Sequence, residues 1–340
     1  MLTFLCRRSL HQVMKKPVTI AVTGGAGQLS YNLVFRIASG SLFGNYQPVS
    51  IVIYDLPEMK NALRGVKMEL EDSAFSLLKG VTITDNATEA FLNTDYAFLV
   101  GAKPRAPGMA ISDLLKKNAE IYVKAGKDIG KYAQKSIKVL TIGNPANTNC
   151  LLAMTHAKGI PKQNFAAMTR LDHNRAMAQV AEKFKVRIDQ IDRVAIWGNH
   201  SPTVFPDLSH MTINNHSVRE KLDKDWYVKE FIPSVQNRGT QVLNTRKFSS
   251  AAAGANAAVD QMRDWELGSH NKWVSFGVST DLLQGEYGIP KGLIFSYPCI
   301  CTHSSYHVIK GLHMDDFAKE KIKITTEELL KEREAIADLL

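Results

Sequence analysis

Cysteine is scarce, with only Cys6, Cys150, Cys299 and Cys301 in 340 residues. That number excludes the dense disulfide framework of a small secreted domain and points to a reducing compartment. No apolar run reaches the roughly 18 residues a membrane-spanning helix needs, so no membrane partner is expected. The 12 prolines and 22 glycines are few and scattered, which excludes a fibrous or disordered chain. Internal repeats and low-complexity segments are also missing. Acid is absent from residues 1–54, which hold Arg7, Arg8, Lys15, Lys16 and Arg36 and supply over half of the net charge of +9. Beyond that stretch no run interleaves Lys or Arg with aromatics, so nucleic acid is not expected either. A mildly basic enzyme with acidic substrates fits the balance better.

The chain, at 37.8 kDa and 45% hydrophobic, is long enough for two closely packed domains or one large α/β unit. Residues 1–16 form a basic, acid-free extension whose composition suits a mitochondrial presequence. An unordered tail and a true start at Met14 are the alternative readings. From Val18 onward, short apolar runs (Val18–Thr23, Val49–Tyr54, 96–100 and 139–142) alternate with helical stretches at 28–39, 61–78 and 112–133. Unbroken apolar strands between helices are the mark of a parallel sheet covered on both faces. The pattern then changes: helical signals at 171–185 and 222–264 are mixed with strands at 193–197, 273–279 and 293–302. A hairpin turn is expected at Asn214–Asn215, and a last helix over 324–339. The expected fold is α/β, a doubly wound Rossmann sheet over 17–168 followed by an α+β substrate domain over 169–340.

Thr23 leads into Gly24-Gly25-Ala26-Gly27-Gln28-Leu29-Ser30 at the junction of the first strand and first helix. Glycines there let the backbone turn tightly and approach a pyrophosphate, whose charge rests on the helix N-terminus. The bland alternative is a glycine-rich turn. Asp55 closes the second strand, where a carboxylate accepts hydrogen bonds from both adenosine ribose hydroxyls and repels a 2′-phosphate, favouring NAD over NADP. Alternatively it only caps a turn before Pro57. The two signals together favour nucleotide binding.

Asp172 and Arg175 stand three apart at the start of the helix at 171–185, and His200 follows the strand at 193–197. Reduction of a ketone by hydride needs a proton donor, and histidine gives or takes a proton near neutral pH. A carboxylate fixes its tautomer, and a guanidinium binds a substrate carboxylate through paired hydrogen bonds. Against this, Asp172 is also placed to cap its helix, Arg175 to pair with a surface acid, and His173 to be a packing residue. Cys299, Cys301 and His303 alternate as one strand face would, with His307 nearby. The spacing lacks a second metal-binding pair, so no metal is expected.

With these motifs in view, the chain from about Val18 resembles the cytosolic type of malate dehydrogenase, in the lactate and malate dehydrogenase superfamily. The matching blocks are VTGGAGQLSY, IGNPANTNC, TRLDHNRA, IWGNHS with the following FPD, and KFSSAAA. The resemblance implies NAD as cofactor, interconversion of malate and oxaloacetate, a homodimer and a cytoplasmic location, with the mitochondrion as the alternative. It implies that His200 is the proton relay with Asp172 orienting it, that Arg175 clamps the C1 carboxylate, and that Asn144 touches both nicotinamide and substrate. Asn118, Gly143 and Pro145 match further cofactor contacts. Residues 100–113 resemble the mobile loop that closes over substrate, in which the family carries two arginines six positions apart. Arg105 matches the first, which reads the second carboxylate of a dicarboxylic acid. Ile111 stands in place of the second, which polarises the carbonyl.

Losing one preorganised charged donor costs on the order of 3–4 kcal/mol in a transition state. Ile111 therefore predicts a slow enzyme, with Lys103 a substitute charge, or a pocket for bulkier 2-oxo acids. Arg105 argues against the second reading, since an unpaired buried arginine is costly. An NAD-binding paralogue with little activity is the third. The uncharged stretch 251–258 suits a close subunit contact.

Overall fold

The computed structural model describes residues 15–103 and 111–340, the side chains of 111–114 excepted. The readings of residues 1–14 as a presequence or as preceding a Met14 start, and those of Arg105 and the Ile111 side chain, lie outside the described residues.

Along the first half, β1 (Val18–Thr23), α1 (Gln28–Ala38), β2 (Val49–Tyr54), α2 (Lys60–Asp72), β3 (Leu78–Thr84), α3 (Ala87–Phe91), β4 (Tyr96–Leu99), α4 (Ile111–Tyr132), β5 (Lys138–Thr141), α5 (Ala146–His156) and β6 (Phe165–Ala167) alternate. The strands lie in the order β6-β5-β4-β1-β2-β3, all parallel. Order reverses between β1 and β4, which opens a crevice beyond the strands' carboxyl ends, the usual ligand position in such sheets. Ile20, Ala21, Val22, Ile51, Ile53, Ala97, Phe98, Val139 and Leu140 are essentially solvent-free, so both sheet faces are covered. This explains the unbroken apolar runs. α1 closes one face with Leu33, Val34 and Ile37, each fully buried and each stabilising by about 1.5–3 kcal/mol.

The second half contains α6 (Arg170–Phe184), β7 (Ile191–Asp192), β8 (Ala195–Trp197), β9 (Phe205–Asp207), β10 (Thr212–Ile213), β11 (His216–Ser217), α7 (Lys224–Trp226), a π segment (Tyr227–Phe231), α8 (Ile232–Arg246), α9 (Ala251–Leu267), β12 (Val274–Ser279), β13 (Ile294–Thr302), β14 (Ser305–Val308) and α10 (Asp316–Ala335). Strands β12, β13 and β14 extend the first sheet from β6 in antiparallel fashion, giving nine strands among the described residues. The two halves therefore share one sheet.

Several boundaries differ from the sequence reading. The helix expected over 61–78 ends at Asp72, and the edge strand β3 begins at Leu78. Lys79 and Gly80 are exposed on that edge and hide its strand pattern. β6, at three residues, is too short to show periodicity. The strand expected over 193–197 begins only at Ala195, because Arg193 takes a positive φ of 59° between β7 and β8. The helical stretch 222–264 breaks at Lys247, φ 64°, between α8 and α9. The last helix starts earlier than 324, where the Asp315 carboxylate accepts the Ala318 N–H at 2.9 Å. Asn214 and Asn215 both adopt positive φ, 50° and 65°, between β10 and β11, as a tight hairpin requires. One side of residues 251–258 packs against α1, with Ala252 and Ala253 exposed on the other: a Cβ on Gly254 would sit 2.9 Å from Leu29 Cδ1, and Arg36 donates to Asn256 at 3.1 Å. Gly254 thus allows a close approach of α9 to α1.

Candidate active site

The glycine loop lies at the β1 end of the crevice. Gly24 has φ 63°, and a Cβ there would lie 2.4 Å from Gly101 Cα. Glycine is obligatory at that contact on both counts. A Cβ on Gly25 would meet Ile53 Cγ2 at 2.1 Å. Gly27 and Gln28 are exposed at the N-terminus of α1, which has no side-chain cap and no acidic residue in its first turn. These amide donors suit a pyrophosphate. Asp55 accepts the N–H of Leu56 through Oδ1 at 2.8 Å and that of Ala26 through Oδ2 at 2.9 Å. It thus ties the loop to β2, and its remaining lone pairs suit ribose hydroxyls. Ser30 is turned inward: fully buried, its hydroxyl donates to Thr23 O at 3.3 Å. It holds α1 close to β1, and Leu29 packs on Gly254.

At the other end of the crevice, Asn144 is exposed and joined to Pro145 by a cis peptide. Gly143 is enclosed, because a Cβ would lie 2.1 Å from Tyr122 Oη, and its carbonyl accepts from Asn149 Nδ2 at 2.9 Å. Asn118 is completely buried. Its Oδ1 accepts the Lys103 N–H at 2.7 Å and its Nδ2 donates to Lys103 O at 3.4 Å. Its side chain fixes the backbone at Lys103, the root of the segment that leads to Arg105.

Asp172 lies in the first turn of α6, yet the N-terminus there is capped by Gln261 of α9. Its Oε1 accepts the N–H groups of Thr169 and Arg170, each at 3.2 Å, while Nε2 donates to Ala167 O at 3.0 Å. The Asp172 carboxylate is therefore free of capping duty. Nearly solvent-free, it accepts from His200 Nδ1 through Oδ2 and from Arg175 Nη1 through Oδ1 at 3.4 Å. That hydrogen bond keeps the imidazole proton on Nδ1 and leaves Nε2 for exchange with a substrate. Arg175 also reaches Ser250 Oγ at 3.5 Å and lies over Gly239. Burial pushes its guanidinium below the ordinary value, Asp172 opposes that, and Arg238 adds to it.

The His200 loop links β8 to β9, beginning at Gly198 with φ 92°. Its backbone is held by Asn147 of α5, which accepts the His200 N–H at 3.0 Å and donates to Gly198 O at 3.2 Å and Ile294 O at 2.9 Å. Sequence reasoning missed Asn147 and Gln261, because nothing local marks a helix amide whose partners lie about 50 to 150 residues away. His173 is the packing residue expected, bonded through Nδ1 to Ser275 Oγ at 2.9 Å and pushed down to about 3 by burial and Arg170. Cys299 and Cys301 are buried with thiols pushed up by desolvation, while His303 lies past the end of β13 and exposed. They do not form a cluster with the histidines.

A doubly wound sheet with a glycine loop and strand-end acid, facing a His–Asp pair with a guanidinium one turn on, defines a nicotinamide-dependent oxidoreductase. The lactate/malate dehydrogenase NAD-binding domain matches residues 18–166, and the lactate/malate dehydrogenase alpha/beta C-terminal domain matches residues 169–339. The chain belongs to the lactate/malate dehydrogenase family, and its cofactor is NAD. It is 44% identical to a malate dehydrogenase from Naegleria fowleri, over 96% of this chain and 100% of that one, with a TM-score of 0.92. It is 36% identical to a Trichomonas vaginalis lactate dehydrogenase solved with NADH and oxamate, over 95% and 98% of the chains, TM-score 0.90. A Plasmodium falciparum malate dehydrogenase at 17% identity, over 95% and 99% with a TM-score of 0.80, shares the fold.

Proposed function

We propose that this chain interconverts malate and oxaloacetate, with His200 relaying the proton and Asp172 orienting it. The observation that carries this reading is the Asp172 carboxylate shared between His200 Nδ1 and Arg175 Nη1. One group thereby sets both the proton donor and the substrate clamp. Bound NAD supplies the hydride acceptor, and NADH the hydride donor, at the nicotinamide ring. Arg175, with Ser250 beside it, holds the substrate C1 carboxylate through paired hydrogen bonds. His200 Nε2 takes the hydroxyl proton during oxidation and returns it to the carbonyl oxygen during reduction. Asp172 stabilises the imidazolium that forms, without itself becoming protonated. Arg105 pairs with the distal carboxylate, which selects a dicarboxylic acid. In this reading two copies form a homodimer, and the cytoplasm is its place.

A second reading is favoured by Ile111 and by the 36% identity to a lactate dehydrogenase: a 2-hydroxy acid dehydrogenase of broader or aromatic specificity. The deciding experiment measures NADH oxidation with oxaloacetate, pyruvate and phenylpyruvate side by side. Preference for oxaloacetate is expected. Preference for either of the others would overturn the malate reading and make Ile111 part of a remodelled pocket.

A further inference from the structure

The C-terminal helix α10 turns one polar stripe toward the His200 loop. Thr325, Glu328 and Glu332 stand three and four apart, hence on one helix face. Thr325 Oγ1 accepts the Asn199 N–H at 2.8 Å. Glu328 Oε2 accepts from Asn199 Nδ2 at 2.9 Å, from Thr203 Oγ1 at 2.6 Å and from Ser201 Oγ. Glu332 does something different, because its two oxygens serve two parts of the protein. Oε1 accepts from Asn199 Nδ2 at 2.8 Å, and Oε2 accepts from Thr148 Oγ1 of α5. Asn199 adjoins His200, and Thr148 lies one turn past the Asn144–Pro145 segment.

Neither glutamate forms an ion pair with a basic side chain among the described residues. Burial pushes the Glu332 carboxyl above the usual carboxylate range, the Thr148 and Asn199 bonds pull it down, and Glu328 pushes it up again. Two neighbouring acids held only by neutral donors are a poor way to gain stability. They are a good way to hold a loop in one place.

We propose that Glu332 is a positioning residue for hydride transfer, a carboxylate strap that registers the His200 loop against the α5 segment following Asn144. The inference rests on the reading of His200 as the proton relay. With the strap in place, the residue before His200 and the helix turn after Asn144 share one carboxylate and so keep one register. Without it, the loop keeps its backbone tie to Asn147 of α5 and its bonds to Glu328 but loses the side-chain tie from Asn199 through Glu332 to Thr148, and a small displacement of a catalytic group costs on the order of 100-fold in rate.

The test compares Glu332→Gln, Glu332→Asp and Glu332→Ala with the unaltered protein, using NADH and whichever 2-oxo acid the unaltered protein reduces fastest. Gln keeps both reach and bonds, since its oxygen accepts from Asn199 and its amide donates to the Thr148 hydroxyl. Asp keeps the charge but is one methylene too short to span both partners. The expected order of kcat is therefore wild type, then Gln close behind, with Asp and Ala lower by on the order of 10- to 100-fold. The NADH dissociation constant should be unchanged throughout. The low-field proton resonance of the His200–Asp172 hydrogen bond should persist in Gln and broaden in Asp and Ala. Should Ala fail to fold, the Gln-over-Asp order decides.

An Asp variant as active as Gln, or an Ala variant at wild-type kcat, would overturn the proposal. The resonance separates this failure from failure of the functional reading. If no 2-oxo acid is reduced by the unaltered protein, the proton-relay reading falls, and an unchanged resonance in Asp and Ala would still count against the strap.

Discussion

The side-chain oxygen of Asn147 accepts the backbone N–H of His200 at 3.0 Å, across 53 residues of sequence. The same amide donates to Gly198 O and Ile294 O, so one buried side chain satisfies three backbone groups of the loop and of β13. Replacing it by Ala leaves the His200 N–H without this partner, while Gly198 O keeps the Ser296 N–H at 2.9 Å; an unsatisfied buried group costs about 1–3 kcal/mol. Asn147→Ala should therefore lower unfolding free energy by about 1–3 kcal/mol and reduce kcat while NADH affinity holds. Urea melts and steady-state kinetics check both. Unaltered kcat in a destabilised variant would mean that the loop is fixed from α10 alone.

The cofactor end has its own close contact. Gly24, at positive φ, brings its Cα side against Gly101, where a methyl would sit at 2.4 Å from backbone that no rotamer change relieves. Thr23 Oγ1 accepts the N–H groups of Val100 and Gly101 at 3.1 and 3.3 Å, so the glycine loop and the root of residues 100–103 are coupled. Gly24→Ala should push both away and weaken NADH binding by at least tenfold, about 1.4 kcal/mol. Fluorescence titration of NADH gives the number directly. Binding of ordinary affinity would show that the contact can open at little cost.

Asp172 and His200 were legible because a carboxylate, an imidazole and a guanidinium are chemically conspicuous, and the glycine loop announced itself between a buried strand and a helix. The supports of the site were not legible. Gln261, Asn147 and Glu332 look like ordinary polar positions on helices, and their meaning comes from partners brought together only by the shared nine-stranded sheet. The partners of Ser30 and Asn118 were equally hidden: packing turns their side chains inward, to Thr23 and to Lys103. β3 escaped notice because Lys79 and Gly80 are exposed on the sheet edge, which erases the apolar pattern that made β1 and β2 plain.

Asp172→Asn keeps the shape of the His200 partner but offers an amide. With Oδ1 no longer charged, Arg175 loses its counter-ion, and an amide placed with its nitrogen toward His200 would force the wrong tautomer. A loss of kcat on the order of 10³- to 10⁴-fold is expected, as in other His–Asp pairs, with NADH binding retained. A loss below tenfold would mean that the imidazole is oriented by its backbone alone.

The last prediction concerns stability and pH. His173 is fully buried, its imidazole bonded to Ser275, and burial holds its pKa down to about 3 against 6.5 for the ordinary group. The folded protein thus keeps His173 neutral through pH 5, whereas the unfolded chain takes up a proton there. Because the unfolded state binds more protons, stability from this group is fully present above pH 6.5 and is lost as pH falls toward 3. At pH 5 the loss is about 2 kcal/mol, from 1.5 pH units at 1.36 kcal/mol each. His173→Asn, which can still meet Ser275, removes the titrating group. Urea unfolding at pH 7.5 and pH 5 should therefore show wild type losing ~2 kcal/mol more than the variant over that interval. Equal losses would show that the native imidazole protonates as readily as the unfolded one, and that the pocket around Ser275 is open to water.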